Sequence, residues 1–192
     1  MVNLDVIAKY KSENLSLKAK TDDEEVTIKP ATLEDAVWLA EKHKVPLENY
    51  QRIIREFTED DRAVMFILGY SGGPFGQASL QNITDDGNAN YTRILRMVQD
   101  VTKGGMTAAV KEINRFGFEE VGLNKAFLST DKNNSRAREF YDRCGFVVVS
   151  EVPFEHVPDS NLWRSNPDLK GKAERYQVYM ELTRERFEFL YK

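Results

Sequence analysis

The sequence predicts a mixed α/β domain in which an antiparallel strand series runs into a strand–loop–helix–strand unit. Three observations carry this. Three apolar or alternating runs, "RAVMFILGY", "FGQASLQNI" and "YTRILRMVQ", are joined only by the turns "SGGP" and "TDDGNAN", so they pair antiparallel. "TKGGMTAAVKEINRFGFEE" then passes from a glycine loop into a helical stripe of Met106, Ala109, Val110, Ile113, Phe116 and Gly117. "KAFLST" follows as a strand, which makes residues 92–130 a βαβ unit.

The remaining elements follow in order. Residues 1–24 read as a polar extension with one short helix, and residues 25–192 as one domain. In "EVTIKPAT" Val26 and Ile28 share a strand face and Pro30 ends it. Thr32 is the expected N-cap of a helix with apolar Ala36, Leu39 and Ala40, with Asp35 three residues on. "VPLENYQRIIREF" is a second helix with Pro46 near its first turn. Gly122 is the expected C-cap of the central helix. A helix from about Ser135 precedes the strand "FVVVSEV", a long polar loop over 153–172, and a last strand "RYQVYMELT". The tail "RERFEFLYK" reads as a short helix or as more strand.

Composition narrows the function. The chain has 192 residues, 41% hydrophobic and 30% charged, with a net charge of −4. That suits one domain with a buried core and argues against a nucleic-acid partner, which requires a basic face. One cysteine and two histidines leave no internal disulfide, and no metal is expected. No stretch is apolar enough for a signal peptide or a membrane span. The expected setting is cytoplasmic, with no membrane partner; a homodimer stays open.

Two stretches carry candidate chemistry. In "TKGGMT" the glycines Gly104 and Gly105 let the backbone approach a ligand closely. The helix start offers N–H groups and positive dipole to an anion. Lys103 adds charge and Thr107 a hydroxyl; a simple tight turn explains the glycines equally well. In "DKNNSRAREFYDRCGF" Asn134 is a good N-cap, and Ala137, Phe140, Tyr141 and Cys144 fall on one apolar stripe. Cys144 reads as a small core residue, and Tyr141, from these residues alone, as a core aromatic whose hydroxyl has a partner.

Together these stretches resemble the acetyl-CoA-binding half of the GNAT family of N-acetyltransferases. The family's phosphate loop, Q/R-x-x-G-x-G/A at a helix start, matches Val101, Thr102, Lys103, Gly104, Gly105 and Met106. Val101 and Met106 depart from the usual residues. The second signature matches Asn134, Tyr141, Gly145 and Phe146. "FGFEEVGLNKAFLST" has the cadence of the ribosomal-protein N-terminal acetyltransferase branch. The resemblance covers about residues 25–150 plus a final strand.

The resemblance implies a mixed sheet that splays open after the family's fourth strand. The pantetheine arm would pair there around Arg96, Met97 and Val98, and a backbone N–H near Val98 would serve the oxyanion. Acetyl-CoA is the implied donor. Val101 to Thr107 and Asn134 are the implied cofactor-binding positions, and Tyr141 is the implied proton donor to the leaving thiolate. Asp100, Glu151, Glu155 and His156 are candidate bases. Residues 33–58 and the 153–172 loop, with Phe154, His156, Trp163 and Arg164, are the candidate acceptor site. The acceptor is a small-molecule or peptide primary amine. The rival readings are a sugar-nucleotide amine acetyltransferase and a non-catalytic acyl-CoA-binding module.

Overall fold

The structure is a computed structural model that describes residues 1–98, 103–158, 160 and 162–191. Among these residues there are nine strands and six α-helices, in two compact units, Met1–Asn124 and Lys125–Lys192.

The first unit is built on an antiparallel ladder of β1 (Leu17–Lys20), β2 (Glu25–Pro30), β3 (Val64–Tyr70), β4 (Gly73–Gln81) and β5 (Asn88–Arg96), in that order. The short turns joining β3, β4 and β5 dictate the antiparallel sense. β3 is the middle strand and is buried on both faces, which is why its sequence is a continuous apolar run rather than an alternating one.

Side chains alternate across the strand. Met65 and Ile67 face α2 (Asp35–His43) and α3 (Leu47–Glu59), where they pack with Leu39, Tyr50, Ile54 and Phe57. Phe66 faces the other way, onto Tyr10 of α1 (Leu4–Ser12) at 5.8 Å and Phe116 at 6.2 Å. Phe116 opens a single π-helical stretch, Phe116–Val121, that continues α4 (Gly105–Arg115). The expected C-cap Gly122 ends it, at φ 85°.

Residues 1–24 contribute directly to this unit. Ile7 and Tyr10 are buried, the Tyr10 hydroxyl donates to the Ile28 carbonyl at 2.8 Å, and β1 pairs with β2. Lys11 reaches the end of α3. Its ammonium donates to the carbonyls of Phe57 (3.1 Å), Thr58 (3.2 Å), Asp60 (2.7 Å) and Ala63 (3.3 Å). A helix C-terminus presents unpaired carbonyls and the negative end of the dipole, so a lysine there satisfies both.

The start of α2 differs from expectation. Glu34, not Thr32, is the cap position. The polarity of the Thr32–Asp35 pair is reversed: the Asp35 carboxylate accepts from the Thr32 N–H at 2.8 Å and from its hydroxyl at 3.0 Å. Lys29 holds the same carboxylate at 3.0 Å.

The second unit is an antiparallel ladder in the order β6 (Lys125–Asp131), β9 (Arg175–Thr183), β7 (Val147–His156), β8 (Trp163–Ser165). Val178, Met180 and Leu182 of β9 are buried, as their alternation requires. The segment read as a loop over 153–172 is largely ordered into elements. β7 runs on to His156, β8 pairs back onto it, and Pro167–Leu169 is a 3₁₀ turn. Its polar composition is explained by a two-sided, half-exposed hairpin. The tail is a helix, α6 (Arg184–Tyr191).

The Lys11 contacts make a first test. Lys11→Met keeps the aliphatic stem and deletes the four bonds. The variant is expected to lose about 1–2 kcal/mol, the scale of charged hydrogen bonds discounted for partial exposure. A lower chemical-denaturation midpoint with an unchanged slope checks it.

Candidate functional site

The glycine loop and the end of β5 belong to the first unit and meet at Phe75. The Phe75 carbonyl accepts two N–H groups, from Met97 at 2.8 Å and from Val98 at 3.2 Å. Thus the chain after β5 remains tied to β4. Met97 also packs against the α2–α3 core. The Phe75 ring lies 3.5 Å from where a Cβ on Gly105 would stand. One residue of β4 therefore positions both the exit from β5 and the entry to α4.

Gly76 completes the junction. A Cβ there would meet the Leu95 carbonyl at 2.7 Å and the Met106 sulfur at 3.1 Å, so only glycine lets β5 and α4 close in. Met106 consequently turns toward β4, and its bulk is absorbed by the missing side chain of Gly76. The departure at Met106 thus has a structural partner four residues into β4.

Gly104 caps α4 at φ 90°, left-handed, with nothing within 4 Å of a Cβ position. The first helical bond runs from the Ala108 N–H to the Gly104 carbonyl at 2.9 Å, so the N–H groups of Gly105, Met106 and Thr107 precede the helical ladder. Gly104 and Lys103 are exposed and Gly105 is buried. An open glycine turn, an adjacent lysine and a helix start together fit a phosphate group. Val101, Thr102 and the candidate base Asp100 lie outside the described residues. The Val98 N–H, expected to serve an oxyanion, is engaged by Phe75; it can do so only by sharing or releasing that bond.

Asn134 and Tyr141 belong to the second unit, on α5 (Ser135–Arg143). Asn134 is the N-cap, as expected, and its side-chain oxygen accepts from the Ala137 N–H at 3.1 Å. The stripe of Ala137, Phe140 and Tyr141 is only half-buried, while Cys144 is fully buried. Cys144 and Gly145 are held by the last helix. The Tyr191 hydroxyl donates to the Cys144 carbonyl at 2.9 Å, and Arg186 to that of Gly145 at 2.7 Å.

The Tyr141 ring sits between Phe140 at 5.2 Å and Phe146 at 6.4 Å. Burial raises its phenol above the ordinary value, with a further push from the neighbouring Cys144, so it stays protonated. Among the described residues, no hydrogen-bond partner takes that hydroxyl.

The candidate bases of the second unit are already employed. Glu151 pairs with Lys132 at 2.6 Å. Glu155 accepts from Asn166 at 2.7 Å and from Arg164 at 2.6 Å. These two donors hold its carboxyl below the ordinary range, Asn166 most, which makes it a poor proton acceptor at neutral pH. The His156 ring lies 5.3 Å from Trp163 across the β7–β8 hairpin, and Arg175 stacks on Trp163 at 5.3 Å while pairing with Asp131 at 2.8 Å. Among the described residues no group of three His, Cys, Asp or Glu is arranged to hold a metal, and no helix is long and apolar enough to cross a membrane.

Comparison with known proteins identifies the family and the fold. Residues 15–147 match the acetyltransferase (GNAT) domain family. No curated protein matches the chain by sequence. Among solved structures, it is similar to a chimera of the spermidine N-acetyltransferase SpeG from Vibrio cholerae and hSSAT. The identity is 14% and the TM-score 0.70, over 85% of this chain and 98% of that one. It is similar to apo FdhC, a nucleotide-linked sugar GNAT, at 14% identity and a TM-score of 0.70, over 92% and 94%. A probable acetyltransferase is similar at 21% identity and a TM-score of 0.66, over 88% and 98%. With more than half its length in the family match, the chain belongs to the GNAT acetyltransferase domain family and has its mixed α/β fold.

Proposed function

We propose that this acetyltransferase moves the acetyl group of acetyl-CoA to a primary amine on a small molecule or a peptide N-terminus, in a reducing, cytoplasmic setting. The observation that carries the reading is the open left-handed turn at Gly104, fixed onto β4 through Phe75 and Gly76. GNAT domains use acetyl-CoA as donor, and this turn is the feature of the first unit that suits its phosphates. Lys103 and the N–H groups of Gly105, Met106 and Thr107 would hold them, while Met97 and Val98 would line the pantetheine arm. Val101, Thr102 and Asn134 are carried by the family motif alone.

The amine must attack as the free base, and the tetrahedral oxyanion must then expel the CoA sulfur. Tyr141 is assigned to that sulfur. Burial and the neighbouring Cys144 raise its phenol, which keeps it a protonated donor across neutral pH. Glu151 and Glu155 are paired, which leaves Asp100, His156 or a water to take the proton from the amine. The neighbours favour opposite acceptors, a polyamine in one and a nucleotide-linked sugar in another, and the peptide N-terminus rests on the cadence of residues 116–130.

Two variants test this reading. Gly104→Glu places a strained left-handed backbone and a negative charge at the turn, and CoA affinity by calorimetry is expected to fall by at least about tenfold, with melting still cooperative and the midpoint lowered by a few degrees by the backbone strain. Unchanged affinity removes the turn from the site. Tyr141→Phe keeps the ring and deletes the hydroxyl. Single-turnover acetyl transfer, followed by thiol release, is expected to slow roughly 10²–10⁴-fold while CoA affinity stays. CoA binding with no thiol release from the native protein on any amine would favour a binding module instead.

A further inference from the structure

The face of the first ladder that carries α2 and α3 is apolar around Met65 and Ile67 and turns polar on the next strands. Register sets Gln77 beside Ile67 and Ser79 beside Met65. Ser79 is satisfied: its hydroxyl meets the Thr92 carbonyl at 3.0 Å and hydroxyl at 2.8 Å. Gln77 is not. The residue is 0% exposed, and neither its amide nitrogen nor its amide oxygen has a hydrogen-bond partner. His43, near the end of α2, also has a buried Nε2 with no partner. Its ring lies 5.1 Å from that of the buried Tyr50.

An unsatisfied buried amide is costly, and folded proteins keep few of them. Among the described residues, Arg138 and Gln177 of the second unit also keep such an atom, while those of the first unit are His43 on α2 and Gln77 on β4, with Tyr50 of α3 in ring contact with His43. Burial raises the Tyr50 phenol and Gln77 acts against that rise, although no bond within hydrogen-bonding distance satisfies the amide.

Arg93 brings a positive charge to this cluster. Arg93 occupies a bulge in β5 at φ 52°, since Arg93 and Ile94 together oppose Ala78, between the Gln77–Leu95 and Ser79–Thr92 pairs. After burial, its charge is the next influence lowering His43, and it also acts on Tyr50. Burial thus leaves His43 neutral and Tyr50 a protonated donor. The exposed Leu95 is the cross-strand neighbour of Gln77, and side chains of paired residues leave a sheet on the same face.

We propose that His43, Tyr50, Gln77 and Arg93 form a specificity-determining subsite that receives a carboxylate on the tail of the acceptor amine and rejects a second ammonium there. The inference rests on the N-acetyltransferase reading. The Gln77 amide and Tyr50 hydroxyl donate, Arg93 supplies the charge, and displacement of Leu95 opens the way. A hydroxyl tail satisfies the same donors without the ionic attraction and ranks second. An ammonium tail meets like charge at Arg93.

Three probes that share one amine and differ only in the tail decide the matter: 3-aminopropanoate, 3-aminopropanol and 1,3-diaminopropane. Each is titrated by calorimetry into the CoA-loaded full chain, so that no turnover is needed. The native protein is expected to bind the carboxylate probe at least tenfold more tightly than the diamine, with the alcohol between. Arg93→Glu is expected to reverse carboxylate and diamine, and Gln77→Leu to weaken the carboxylate and alcohol at least fivefold with CoA affinity unchanged. Equal binding of the three, preference for the diamine, no binding of any up to millimolar concentration, or an order unmoved by Arg93→Glu overturns the proposal. A Gln77→Leu variant that melts higher with unaltered probe binding also overturns it, because the amide then serves only internal water. If Gln77→Leu fails to fold, the surface variant Arg93→Glu still decides. Thiol release on acetyl transfer tests the activity separately, so loss of that reading is seen apart from loss of this one.

Discussion

The Phe75 carbonyl and the bare α-carbon of Gly76 are the constraint on which the first unit's site depends. A carbonyl has two lone pairs, and this one uses them on successive N–H groups of the segment leaving β5. The next residue has no Cβ, so the Leu95 carbonyl and the Met106 sulfur can approach from opposite elements. Without that clearance, β5 and α4 would stand further from β4. The Gly104 turn would lose its fixed place on the sheet, and with it the orientation of the helix start that attracts an anion.

A second constraint is the asymmetry of the sheet's two faces. On the α1–α4 side the contacts are aromatic and closed: Tyr10, Phe66 and Phe116 pack together, and the buried hydroxyls of Tyr10 and Tyr91 are satisfied by the Ile28 carbonyl and Asn114, each at 2.8 Å. On the α2–α3 side the apolar packing fades into Gln77, His43 and Arg93, with polar atoms unmet. A fold that seals one face and leaves the other underpaired spends stability on the second. That is a reason to look for ligand chemistry there, and Tyr141, the proposed proton donor, is half-buried in the second unit.

Much of this was legible in the sequence. The short turns gave the antiparallel order of β3 to β5, the 3.6-residue stripe gave α4 with its Gly122 stop, and Asn134 was readable as a cap because asparagine's oxygen suits a helix start. The register-dependent features were not legible. Gly76 and Phe75 look like any strand residues until their cross-strand partners are known. The bulge at Arg93 adds a residue that no periodicity reveals. The β7–β8 hairpin was hidden because its polar, half-exposed strands carry no strong alternation. Lys11 was hidden because its four carbonyl partners lie 46 to 52 residues away.

The most direct test of the account alters the junction and leaves the turn itself untouched. In Gly76→Ala the new methyl meets the backbone carbonyl of Leu95 at 2.7 Å, so β4 and β5 must part. CoA affinity is measured by calorimetry on protein shown to be folded by its cooperative melting. The account predicts at least a tenfold loss of affinity, although Lys103 to Thr107 keep their sequence. Native affinity in a folded Gly76→Ala protein would contradict it.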